Sequence, residues 1–122
     1  MSPALDALLC QRYPLIFTDR HRPLAESCMG RGFECEDGWF DILDALCERI
    51  QFLIDHNGIP QVRATQVKEK FGTLRFRVNG GSEEITGMLN AAEVFSSRVC
   101  ELCGKPGKLP QSSLKTRCQE HS

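Results

Sequence analysis

Residues 61–79 read QVRATQVKEKFGTLRFRVN, and the period of this stretch decides the fold. Leu74, Phe76 and Val78 alternate with Thr73, Arg75 and Arg77, the two-residue repeat of a strand with one buried and one solvated face. Phe71-Gly72 interrupts the run with a glycine-bearing turn. Residues 61–70 and 73–78 are therefore expected to pair as an antiparallel hairpin, with Phe71 and Phe76 pointing inward. Asn79-Gly80-Gly81 breaks the second strand.

The clearest helix precedes the hairpin. Trp39, Leu43, Leu46, Cys47, Ile50, Leu53 and Ile54 fall at three-and-four spacing, while Asp41, Asp44, Glu48, Gln51 and Asp55 line the opposite face. Asp37 reads as its N-cap, and Asn57-Gly58 followed by Pro60 as its stop. After the hairpin, Ser82 caps a further helix to about Arg98. Glu83 and Glu84 sit at the positive end of its dipole, and Ile85, Met88, Leu89, Ala92, Phe95 and Val99 form its inner face. A short first helix opens at Ser2-Pro3 and ends near Arg12, because Tyr13 precedes Pro14. Residues 18–37 show no period and read as a long loop, of the kind that is usually functional or locally stapled. The expected fold is α+β, with two to three helices packed on a β-hairpin and closed by a C-terminal zinc knuckle of zinc-ribbon or treble-clef type. Residues 1–99 form the helix-hairpin-helix core and 100–121 the zinc-binding segment of a single domain, 1–122.

That C-terminal segment carries the sharpest chemical signal. Cys100, Cys103, Cys118 and His121 are spaced C-x2-C-x14-C-x2-H. A Cys-x-x-Cys-Gly turn points two thiolates at one spot, and a Cys and a His three apart on a helical turn project from the same side. Three thiolates and an imidazole satisfy tetrahedral zinc and leave no open position, so the predicted site is structural. A redox pair at Cys100 and Cys103 leaves Cys118 and His121 unexplained. Disulfides fit poorly with an odd count of seven cysteines. Cys10, Cys28, Cys35 and Cys47 remain as free thiols, which suits a reducing cytoplasm. Cys10 and Cys47 read as core residues. His21, Cys28 and Cys35, with Asp19, Glu34 or Glu36, are candidates for a second metal site, but their spacing lacks the two-residue gap of a knuckle.

The 122 residues suit one domain, and 41% apolar with 25% charged residues suit an ordered globular chain. A net charge of −1 excludes a polyelectrolyte-type nucleic-acid binder but permits a local basic patch. The charge is uneven: residues 1–58 hold ten acids and five bases, and residues 59–122 hold six acids and ten bases. Two mutually attracting halves are the expectation. No apolar run approaches a membrane span, and the first residues do not read as a secretory signal.

No phosphate-binding glycine loop, His-Glu-x-x-His or nucleophile elbow is present, and nothing argues for an enzyme. Glu34, Glu36, Asp37 and Asp41 could hold a divalent ion, although acids at a helix start need no such role. Lys68, Lys70, Arg75 and Arg77 are expected on one exposed hairpin face. That face suits an acidic partner or phosphates, or is merely solvated.

Asp37-Gly38-Trp39-Phe40, the run from Val67 to Phe76, and Cys100-Glu101-Leu102-Cys103-Gly104 together carry a resemblance. Over roughly residues 33–121 the chain resembles short uncharacterised proteins of phages and prophages, with a KEKFGTLRF-like hairpin and a terminal Cys3His zinc knuckle. The resemblance implies a small accessory protein in the bacterial host cytoplasm that binds a host component, such as a defence complex, and inhibits it. The leading expectation is thus a non-enzymatic, zinc-stabilised protein-binding module. The alternative is a nucleic-acid-binding zinc protein using the basic hairpin face.

Overall fold

The computed structural model describes all 122 residues, from helix α1 (Pro3–Arg12) and strand β1 (Phe33–Glu34) through helix α2 (Phe40–Asn57) to strands β2 (Arg63–Lys70) and β3 (Thr73–Asn79) and helix α3 (Glu83–Ser96). The sheet order is β1-β2-β3, with β1 parallel and β3 antiparallel to β2. The architecture is α+β, as expected, with three helices and a sheet in which the expected β2-β3 hairpin is extended to three strands by β1.

Local chemistry explains the element ends. Ser2 accepts the N–H of Leu5, and Pro3 loses nothing at a position where its missing N–H would be unpaired. Ser82 caps α3 in the same way through the N–H of Ile85. Helix α2 differs from its expected start. A 3₁₀ turn, Asp37–Trp39, precedes it, and the Asp37 carboxylate accepts the N–H of Ser2 at 2.7 Å instead of capping its own helix.

The supposed loop at 18–37 is stapled throughout. It contains 3₁₀ turns at Thr18–His21 and Cys28–Arg31 and then strand β1. Arg20 grips Asp6 of α1 through two nitrogens, at 3.0 and 2.9 Å. Buried Asp19 meets Arg22 at 3.0 Å and Arg63 at 3.4 Å. Arg63–Asp19 is the one ion pair joining residues 1–58 to residues 59–122; the others lie within one half. Ion pairing between the halves, the expected use of the uneven charge, is therefore slight.

The core gathers Leu9, Ile16, Met29, Trp39, Leu43, Ile50, Val67, Leu74 and Ile85, all essentially without exposure. Phe17 packs edge-on against Phe33, with ring centroids 4.9 Å apart. A register shift between Ala64 and Gln66 switches which residues of β2 face inward: Ala64 is buried before it, Val67 after it. Helix α3 covers the outer edge of β3, where Ser96 Oγ accepts the N–H of Leu74 at 2.8 Å. Ile85 and Ala92 are buried and Met88, Leu89 and Val99 pack against the core, as expected of the inner face, but Phe95 is 58% exposed and Ser96 is buried in its stead.

Candidate metal centre

The C-terminal segment builds its site on a short ribbon. The N–H of Gly104 donates to the carbonyl of Cys100 at 2.9 Å, closing the Cys-x-x-Cys-Gly turn, and Gly104 takes a φ of +80°. Lys108 and Arg117 exchange both backbone hydrogen bonds, at 2.9 and 3.0 Å, and the N–H of Glu101 reaches the carbonyl of Thr116. This pairing brings Cys118 beside the turn. A 3₁₀ turn, Gln119–His121, then returns His121 to the same point.

The ligand atoms of Cys100, Cys103, Cys118 and His121 all lie within 4.8 Å of one another. Cys103 Sγ and Cys118 Sγ are 3.7 Å apart, and His121 Nδ1 lies 3.7 Å from Cys100 Sγ and 3.1 Å from Cys118 Sγ. An ion at about 2.3 Å from each sulfur and about 2.0 Å from nitrogen places tetrahedral ligands about 3.5–3.8 Å apart. The donor set thus has the size and composition to hold one metal ion.

The electrostatics favour a cation. Burial opposes ionisation of Cys100, but the backbone N–H groups of Cys118, Cys103 and Leu102 outweigh it and bring the thiol down to about 6. For Cys103 the N–H of Lys105 favours the thiolate, yet burial and the neighbouring Cys118 and Cys100 sulfurs hold its pKa up. Thiolates this close resist ionising together, and a bound cation relieves that repulsion.

Two groups of contacts fasten the centre to the core, and they explain the Asp37-Gly38-Trp39 and Glu69–Gly72 stretches. The N–H of Gly38 donates to the carbonyl of Glu101 at 2.7 Å, and a Cβ there would collide with the carbonyl oxygen of Cys100. The indole of Trp39 donates to Val99 at 2.9 Å. Buried Glu101 accepts from the N–H of Glu36 at 3.1 Å and from Arg117 at 3.2 Å. At the hairpin turn, Thr116 donates to the carbonyl of Gly72 at 2.6 Å, and Glu69 accepts both the N–H of Gly72 and the Lys115 ammonium. Glu101 and Thr116 carried no sequence signal, because their partners are distant in the chain.

The other candidates separate. His21, Cys28 and Cys35 do not form a ligand cluster, nor do Glu34, Glu36, Asp37 and Asp41. Cys28 is exposed, while Cys35 is buried and its thiol is pushed up to about 12, chiefly by that burial. Cys47 is fully buried and Cys10 only partly. Lys68 lies opposite Arg75 and Gln66 opposite Arg77, so Lys68, Lys70, Arg75 and Arg77 share one sheet face. Arg75 meets Glu93 at 3.5 Å, and Glu34 is the strand partner of Lys68. Phe76 is buried, but Phe71 is 59% exposed, contrary to the inward placement expected, because its φ of +53° turns it off the strand period. No family model, curated protein or solved structure matches the chain.

Proposed function

We propose that zinc fills the Cys3His centre permanently and that the protein is a non-enzymatic binding module whose contact point is the hairpin tip. Three thiolates and one imidazole are a donor set that suits zinc, and four protein ligands leave it no position for substrate. The observation that carries the binding role is Phe71. A bulky residue in the left-handed region is strained, and such strain persists only where the surroundings hold it. Here the two-residue turn between Lys70 and Thr73 imposes a positive φ on both Phe71 and Gly72, and the metal segment braces that turn through Thr116, Lys115 and the Leu109 side chain packed at Gly72. Zinc would thus keep an exposed aromatic ring aimed outward, with Lys70 beside it and Lys68 and Arg77 behind.

An exposed aromatic anchor flanked by cations suits a protein surface with an apolar pocket and an acidic rim. Together with the resemblance to phage and prophage proteins, this supports action in the bacterial cytoplasm by occluding a host complex, such as a defence complex. A second reading, nucleic-acid binding, draws on the same ring, which could stack on a base. The pairing of Arg75 with Glu93 shortens the cationic run and weighs against it.

Affinity capture from a bacterial host lysate with wild-type protein and Phe71→Ala tests the proposal, alongside titration with fluorescent single-stranded DNA and RNA at low salt. A partner protein lost with Phe71→Ala, with no oligonucleotide binding, is expected. Oligonucleotide binding that falls steeply with salt and weakens in Lys68→Ala and Arg77→Ala would favour the second reading.

A further inference from the structure

Helix α3 has a face that nothing in the chain covers. Val94 is 71% and Phe95 58% exposed, and Gly87 and Ala91 are exposed beside them. Phe95, Met88 and Ala91 border a groove of about 550 Å³ against Ile42 and Leu46 of α2. Glycine is unfavourable inside a helix, and a Cβ at Gly87 would meet nothing within the protein, so internal packing gives no reason for it. Close approach of another backbone would.

The charges at the ends of this face identify the occupant. Glu84 stands in the first turn of α3, and Arg98 in the tight turn that follows the helix, where its N–H donates to Phe95. Both side chains project from the surface, and neither forms an ion pair within the chain. Positions 84, 87/88, 91, 94/95 and 98 recur at the spacing of a helix–helix seam. Run antiparallel about an axis through Ala91, two such faces complement each other. Phe95 meets the partner's Gly87, Val94 meets the partner's Met88, and Arg98 meets the partner's Glu84. Each contact occurs twice, as a two-fold interface requires.

We infer that α3 is a self-association face on which a second copy of this chain docks antiparallel, with Ala91 at the axis and Glu84–Arg98 pairs at both ends. Sedimentation equilibrium from about 10 μM to about 1 mM reads the dissociation constant directly. The mass should rise from the 13.7 kDa of one chain toward that of a dimer. Phe95→Glu should hold it at one chain, with an unchanged circular dichroism spectrum showing that the variant folds. Glu84→Arg and Arg98→Glu alone should each weaken association about tenfold by juxtaposing like charges. An equimolar mixture of those two variants should recover it as a heterodimer, since one end of the mixed interface then carries the native Glu84–Arg98 pair and the other the same pair with its charges exchanged, whereas each variant alone sets like charges against each other at both ends. Wild-type protein that stays at one chain throughout would overturn the inference and leave the face to a different partner. Charge variants that the mixture does not rescue would overturn the antiparallel register.

Discussion

At Gly38 the junction between core and metal segment is backbone on backbone. Its N–H holds the carbonyl of Glu101, and the space a methyl group would need is taken by the carbonyls of Cys100 and Glu101. Backbone cannot yield as a flexible side chain does. Gly38→Ala should therefore cost about 2–3 kcal/mol or more, from overpacking and the loss of one buried hydrogen bond. Chemical denaturation of the reduced, metal-loaded protein measures this. Gly58→Ala is the contrasting case: an added Cβ meets nothing there, and its left-handed φ of +68° sets the cost.

Between elements, Tyr13 ties α1 to α2. Its hydroxyl donates to the Asp44 carboxylate at 2.6 Å, and Arg12 reaches the same carboxylate at 2.9 Å. The Tyr13 hydrogen bond, helped by Arg12 and opposed by burial, holds the Asp44 pKa below the usual carboxylate value. A depressed carboxylate contributes stability that is complete above its unfolded pKa, roughly 3.9, and is lost as pH falls through the lower folded value. Tyr13→Phe should thus lower stability by about 1–2 kcal/mol at neutral pH and raise the Asp44 pKa. Carboxyl-carbon NMR titration of Asp44 in both proteins checks the direction. The helices themselves were legible in sequence because their signals are local: the three-and-four apolar stripe of α2, and Ser2 and Ser82 as caps. Strand β1 was not, because two residues carry no period and its hydrogen-bonding partner lies more than thirty positions away. The irregularity at Ala64/Gln66, the outward turn of Phe71 and the exposure of Phe95 were hidden for the same reason: each departs from a regular repeat.

For the molecule as a whole, the metal segment spans two separate parts of the core. It holds the start of α2 through Gly38, Trp39 and Glu36, and the hairpin turn through Gly72 and Glu69. The pairs Cys100 with Cys103 and Cys118 with His121 were legible because two-residue gaps set each of them locally, and the ribbon at Lys108 and Arg117 brings the two pairs together. The attachment of that cluster to the rest was not, since it rests on Glu101, Thr116 and Lys115 meeting residues 44 to 65 positions away. Metal binding in such a segment is coupled to its folding. Losing the ion should release residues 100–121 and, with them, the ordered tip around Phe71, while the α2-centred core persists. The most direct measurement is elemental analysis of folded protein purified under reducing conditions, with Cys103→Ser and His121→Ala beside it. One zinc per chain, lost or sharply reduced in both variants, is the expected result. Folded, fully reduced wild-type protein that carries no metal would contradict the account.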